Sequence, residues 1–381
     1  IEDAILGNYL LGKPNKKLPP KEKAKVIQQL KEITLWGVPL LPSKRHEGTD
    51  IVLLKFLKAR DFKVHDAFKM LRKTLIWRKE YMADEILEEK LDPDLEKVVY
   101  LCGTDRKGHP LCYSVFGVLK DKELYEKIFK THEDSEKFLR RKIQCMEKGV
   151  KLLNFRVGGA NSIVQITDLK NSPAPEMKEL RSCVKKSMML LQDHYPELIH
   201  KNIIINTSLW YYTCHVLTSR LINQTSTNKF VFARPSRVTE TLLKYMAPEN
   251  LPVEYGGLRR ENDDDFSPQD HVRELNVRGN TAGCIPIPVT EPGITMVWDL
   301  TVVGWEVSYQ EEFIPEDEGS YEVMLHNKED KKGGESIRNS FYISEPGKIV
   351  ITIDNTTLKK KKVFYRYKTK PTVPMYIFSK Q

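Results

Sequence analysis

The chain has 381 residues, 40% of them hydrophobic and 30% charged, which is enough for two or three domains with real cores. Its 61 Lys and Arg stand against 52 Asp and Glu, and the net charge of +9 points to an anionic partner. No apolar run reaches the roughly 20 residues that a membrane-spanning helix needs, and residues 1–17 lack the pattern of a signal peptide, so integral membrane and secreted readings drop out. The start at Ile1, without Met, reads as a fragment of something longer.

In chain order, Pro19 and Pro20 precede KEKAKVIQQLKEITLW, where Val26, Ile27, Leu30, Ile33 and Leu35 approximate the helical period until Gly37 and Pro39 stop it. Thr49 and Asp50 can cap a second helix, IVLLKFLKAR. A third is expected from about Val64 to Tyr81, with Phe68, Leu71, Leu75 and Trp77 on or near one stripe. Residues 1–90, with a net charge of +6, read as a small helical lobe.

From about residue 95, β-branched runs alternate with amphipathic helices. The runs are Lys97 to Leu101, Leu111 to Phe116, Ile163 to Asp168, Ile203 to Asn206 and Lys229 to Ala233; the helices lie near 134–152, 176–193, 209–222 and 238–246. This alternation predicts a mostly parallel sheet with crossover helices over residues 91–262. The charged stretch LRRENDDDFSPQD, residues 258–270, has no periodicity and reads as a linker. Beyond it, residues 263–381 contain alternating segments such as TMVWDLTVVGWEVSY and KIVITID, broken by EPG, EDEG and KKGG, which predict an all-β sandwich. The segment from 268 onward has a net charge of -1, yet after Asp354 it has only basic charges, balanced by Glu311, Glu312, Glu316, Asp317 and Glu318.

The six cysteines, Cys102, Cys112, Cys145, Cys183, Cys214 and Cys284, form no CxxC pair; they read as reduced core thiols of a cytosolic protein, and no metal site is expected. No nucleophile elbow, Walker loop, HExxH pair or kinase signature occurs, so no catalytic residues are assigned. The Asp193 and His194 pair reads as structural rather than as a general base.

Three features carry binding chemistry. Residues 208–222, SLWYYTCHVLTSRLI, are apolar over most of a helix circumference, which means core packing, an apolar cavity or lipid contact. Glu197 in HYPELI and Lys229 in STNKFVF reach a common edge if their strands are parallel neighbours, where a carboxylate and an ammonium can bind a polyol and its phosphate; the alternative is a surface ion pair. In LKKKKVFYRYKTK, basic residues alternate with Val363, Phe364, Tyr365 and Tyr367, so a strand with a wet basic face can meet an anionic membrane; nucleic acid or plain solvent are the competitors.

These residues also carry a family resemblance. LLKFLKARDFKVHDAFKMLRKTLIWRKEY resembles the helical lobe preceding CRAL-TRIO lipid-binding domains. VQITDLKN, LLQDHYPELIHKNIIIN and NKFVFARPSRVTETLLKYMAPENLPVEYGG resemble that domain's successive elements, and the β segment resembles a GOLD domain. The order is similar to that of the patellins, plant phosphoinositide-binding relatives of the phosphatidylinositol/phosphatidylcholine transfer proteins.

The resemblance implies a multidomain fold: a helical lobe, an α/β CRAL-TRIO domain with a deep lipid pocket, and an all-β GOLD sandwich. By matching, Glu197, Ser226 and Lys229 bind the lipid headgroup, with Lys58 or Arg60 as an added cation. Leu209, Trp210, Tyr211, Tyr212, Val216 and Leu217 fall in the pocket or its gate, and Lys359, Lys360, Lys361, Lys362, Arg366 and Lys368 dock on the membrane. The transfer proteins have Arg after their YPE motif where this chain has Leu198, which removes one cation.

The expected protein is therefore non-enzymatic and needs no cofactor beyond a bound phospholipid or other hydrophobic ligand. It binds phosphoinositides and anionic membranes, with trafficking proteins as candidate partners through the GOLD domain and no nucleic acid. It is cytoplasmic and peripheral on membranes, and by resemblance it acts in trafficking or cell-plate formation during cytokinesis. The alternative is a protein-interaction adaptor using the GOLD domain without lipid exchange.

Overall fold

The computed structural model describes residues 33–40, 46–172, 178–208, 229–331 and 336–371. The chain divides into two compact units, residues 1–235 and 236–381.

In the first unit, β1 (Thr34–Leu35) and β2 (Val38–Pro39) form a hairpin around Trp36 and Gly37, whose φ angles are 55° and 77°. Two successive left-handed residues make a tight two-residue turn, so the helix expected to run through Trp36 does not. Packing outweighs the local helical pattern: the Trp36 ring stacks 6.0 Å from Phe56 and 6.1 Å from Phe155. Helix α1 (Glu47–Lys58) begins earlier than Thr49, capped by His46, whose Nδ1 accepts from the Gly48 amide at 3.0 Å. The Thr49 hydroxyl instead donates to the Pro39 carbonyl at 2.8 Å. Helix α2 (Val64–Glu80) buries Ala67, Met70, Leu71, Thr74 and Arg78.

After the single-turn helix α3 (Asp94–Val98) come β3 (Val99–Thr104) and β4 (Pro110–Val115), then α4 (Lys122–Phe129), α5 (His132–Lys151), β5 (Ile163–Asp168), α6 (Lys178–His194), β6 (Ile199–Ile205) and β7 (Phe230–Ala233). The strands form one sheet in chain order, antiparallel only between β3 and β4. Because β4 to β7 run parallel, their starts share one edge of the sheet. Strand β6 begins earlier than its apolar run suggested. Half-buried His200, Lys201 and Asn202 sit where ladder pairing is made by backbone and tolerates polar side chains.

The second unit opens with α7 (Val238–Leu243) and then forms two four-stranded antiparallel sheets. Its strands are β8 (Arg273–Val277), β9 (Thr281–Val289), β10 (Ile294–Val302), β11 (Val307–Pro315), β12 (Val323–Lys331), β13 (Ile337–Tyr342), β14 (Gly347–Asn355) and β15 (Lys361–Pro371). One sheet has the order β13-β10-β15-β8 and the other β12-β11-β14-β9, with Trp298, Phe313, Ile351 and Val363 in the shared core. Glu311 belongs to that core rather than to a surface acidic stretch. Its carboxylate accepts from Trp298 Nε1 and Asn339 Nδ2, each at 2.7 Å, and from the Tyr309 hydroxyl.

Residues 258–270 are not a free tether. Phe266 is buried with the Arg366 guanidinium 4.4 Å and that of Arg338 5.0 Å from its ring centre. Asp263 pairs with Arg338 at 2.6 Å, Asp265 with Lys370 at 2.7 Å and Asp270 with Lys368 at 3.7 Å. Burial pushes the Asp263 carboxyl up, but Arg338 and two backbone amides hold it down at about 2. The acidic run that lacked periodicity is thus a strap that neutralises one face of β15 and β13.

Candidate functional site

The α6–β6 turn is fixed from beneath before it presents anything. Arg78 of α2 and Glu147 of α5 pair at 2.6 Å, both buried, and the Tyr195 hydroxyl donates to Glu147 Oε1 at 2.5 Å. Leu198 is fully buried, and its carbonyl accepts from the Ile163 amide at 2.7 Å. The position where the transfer proteins carry a cation is therefore a core position in this chain. Between these two anchors Glu197 has a φ of 53°, an unusual conformation for a residue with a Cβ.

The Glu197 carboxylate meets Lys229 Nζ at 2.8 Å, with about a third of each side chain exposed (35% and 32%). Each residue precedes one of two parallel neighbours, β6 and β7, and the Asn202 amide donates to the Lys229 carbonyl at 2.7 Å. The shared edge expected from their spacing is present. Lys58 is exposed on the last turn of α1; Arg60, half-buried, turns its Nη1 back to the Ala59 carbonyl at 2.9 Å. Ser226 and the gate residues Leu209, Trp210, Tyr211, Tyr212, Val216 and Leu217 lie outside the described residues.

Lys55 was not anticipated. Only 6% exposed, it donates from Nζ to the Glu197 carbonyl at 2.9 Å and to Asn161 Oδ1 at 3.2 Å. Burial pulls its pKa down to about 8; Glu197 opposes this, while Lys58 and Lys229 push it further down. The Glu197 carboxylate thus meets Lys229, its backbone carbonyl meets Lys55, and Lys58 is close enough to act on Lys55, an arrangement suited to a phosphate-bearing ligand with hydroxyls. The available signal was the spacing of Lys55 and Lys58, which places both lysines on one helix face.

The basic run of β15 is largely consumed within its own unit. Arg366, expected to dock on a membrane, is 2% exposed and donates to the Leu258 carbonyl at 2.7 Å and to Asp299 at 3.1 Å. β15 is an inner strand, and the strap covers this face. Lys361 is buried with Glu306 at 3.6 Å, Lys362 pairs with Glu274 at 2.9 Å, and Lys368 faces Asp270. Lys359 and Lys360 are exposed on the β14–β15 turn and form no salt bridge among the described residues.

Among the described cysteines, Cys112, Cys145 and Cys183 are buried, but Cys284 is exposed on β9 and is no core thiol. Asp193 turns to Lys73 at 3.5 Å, whereas His194 stacks flat on Trp77, ring centres 4.1 Å apart, and burial holds its pKa down at about 4.

Comparison with known proteins agrees with this architecture. Residues 20–73 match the CRAL/TRIO N-terminal domain, 95–257 the CRAL/TRIO domain and 278–361 the Patellin-1-like C-terminal GOLD domain. The class is a CRAL/TRIO protein with its N-terminal lobe, joined to a GOLD sandwich. The chain is 48% identical to Patellin-4 of Arabidopsis thaliana over 89% of its own length and 62% of that protein's. It is 42% identical to Patellin-6 of the same plant, over 92% and 87% respectively. The chain belongs to the patellin family. It is also 27% identical, over 58% of its length and 74% of the relative's, to Phosphatidylinositol transfer protein SFH5 of Kluyveromyces lactis. A crystal structure of Sfh5 aligns with 63% of this chain and 96% of its own at 22% identity and a TM-score of 0.47. Against Patellin-4, this chain thus spans under two thirds of the relative's length.

Proposed function

We propose that this chain is a non-enzymatic phosphoinositide-binding protein of the lipid-transfer type that works peripherally on membranes. The observation that carries the reading is the Glu197–Lys229 pair, about a third exposed, with Lys55 buried beneath it and Lys58 nearby. Ammonium groups at this edge contact the headgroup phosphate, and Glu197 accepts from inositol hydroxyls. Burial of acyl chains provides the bulk of the affinity, at roughly 25 cal/mol per Å² of apolar surface. Similarity to a phosphatidylinositol transfer protein and membership of the patellins support the ligand class. Ser226 and the segment containing Leu209, Trp210, Tyr211, Tyr212, Val216 and Leu217 are assigned to the headgroup and gate from resemblance. The domain assignment 1–90, 91–262 and 263–381 rests on the same ground.

Membrane docking falls to the β14–β15 turn rather than to the whole basic run. Leu358, 88% exposed, stands beside exposed Lys359 and Lys360. Arg278, on the β8–β9 turn, is also exposed, and the Asn280 amide of that turn donates to the Thr357 carbonyl at 3.0 Å. An apolar tip among cations suits an anionic interface. A cytoplasmic, peripheral protein acting in trafficking or at the cell plate is the corresponding biological role. In the second reading, an adaptor, trafficking proteins bind edge strand β12, where Val323 and Met324 are exposed.

The test is transfer of labelled phosphatidylinositol and phosphatidylcholine between vesicles by the wild type and Lys229→Ala. Loss confined to the inositol lipid, with an unchanged melting temperature, is expected; equal rates for both lipids remove Lys229 from the site.

A further inference from the structure

Asp105 and His109 lie on the tight turn joining β3 to β4, while His200 is the second residue of β6. Strand β5 runs between β4 and β6, but its pairing with β6 slips. Ile163 faces Ile199 and Val164 faces Lys201, leaving His200 as the extra residue of a bulge. An extra residue of this kind re-aims its side chain and bends the strand. The His200 ring consequently lies on that of His109, ring centres 4.2 Å apart and planes 16° from parallel.

The carboxylate completes the group. Asp105 Oδ1 accepts the backbone amides of Lys107 and His109, each at 2.8 Å, which fixes the turn, and Oδ2 stands 2.8 Å from His109 Nδ1. Asp105 and His109 are only 7% and 8% exposed, whereas His200 is half-buried and open to one side. One ligand atom from each of the three residues lies within 4.8 Å of the other two.

We infer that Asp105, His109 and His200 bind one divalent metal ion of the zinc class, with water completing the coordination. Zinc bound at about 2.0–2.1 Å in a tetrahedron sets its ligand atoms roughly 3.3 Å apart. The Asp105–His109 spacing of 2.8 Å is close to this, and the main adjustment is a turn of the His200 ring, now stacked on His109, that brings a ring nitrogen toward the ion. Two imidazoles with one carboxylate favour zinc over magnesium or calcium, which take oxygen ligands. In the metal-free chain Asp105 Oδ2 and His109 Nδ1 share a hydrogen bond at 2.8 Å. An ion bound at Nδ1 replaces that hydrogen bond, and the neutral imidazole ligates as the tautomer protonated on Nε2. The bound ion clamps the β3–β4 turn to the start of β6, three residues beyond Glu197. No sequence motif announces the site, because its ligands come from separate strands and meet only through the bulge.

The test is calorimetric titration of the full chain with zinc chloride in a non-chelating buffer, comparing the wild type with His200→Asn. Cobalt(II) spectra of the wild type provide a readout independent of the variant. The expected result is one zinc per chain, at least about tenfold weaker binding by His200→Asn, and cobalt bands without thiolate charge transfer. Equal zinc affinity in the two proteins, or a thiolate-to-cobalt band placing the metal on cysteine, overturns the assignment.

Discussion

Replacing Lys55 by Met separates the cost of the buried amine from its contacts. A pKa lowered from 10.5 to about 8 means that the folded chain disfavours the charged form by about 3 kcal/mol. Below pH 8 both folded and unfolded chains carry the proton, and the fold bears this cost in full. Between pH 8 and 10.5 the folded chain releases the proton while the unfolded chain retains it, so the unfolded state binds more protons and stability rises with pH. Above that window the cost is gone. Methionine removes the charge at every pH but also removes hydrogen bonds to the Glu197 carbonyl and Asn161, each contributing about 1 kcal/mol. Lys55→Met should thus be about 1 kcal/mol more stable than the wild type at neutral pH and about 2 kcal/mol less stable above pH 10.5. Urea unfolding followed at the helical circular dichroism band, which reports the helix-rich first unit, measures both. A stability difference that is the same at the two pH values refutes the reasoning.

Two further outcomes follow from the second unit. Lys359→Ala with Lys360→Ala should weaken binding to anionic vesicles by roughly 2 kcal/mol, about thirtyfold, with most of the loss disappearing at high salt; flotation measures this, and unchanged binding removes the turn from the docking surface. Asp299→Asn should destabilise the β sandwich by about 3–5 kcal/mol, because this fully buried carboxylate accepts from Arg260 at 2.8 Å, Arg338 at 2.9 Å and Arg366 at 3.1 Å. A loss under about 1 kcal/mol in denaturant unfolding would show that the three guanidiniums find other partners.

Strand β5 was legible in the sequence to the residue, because a β-branched run buried on a parallel sheet carries its own signal. The Glu197–Lys229 pairing was legible as well, since parallel topology alone brings the starts of β6 and β7 together. The Trp36–Gly37 hairpin was not. There, rings contributed by Phe56 and Phe155 decide the backbone against the helical period of the preceding residues. The spacing of Lys55 and Lys58 marks a basic helix face, but the contact of Lys55 was hidden because its partner is a backbone carbonyl 142 residues away.

The same distinction governs how the charge should be read. A net charge of +9 counts Arg366 and Lys359 alike, yet the first is locked on Asp299 and the second stands in water. Pairing across 67 residues turns the most basic strand into a structural element. Among the described residues, the cations that stay open to an anionic partner include Lys58 and Lys229 near the Glu197 turn and the Lys359–Lys360 tip. These two groups should respond differently to salt. Screening over about 8–10 Å acts on the exposed tip but only weakly on an amine buried at a hydrogen-bonded turn. Vesicle attachment that falls with ionic strength, while headgroup selectivity persists, is the behaviour this division of charge requires.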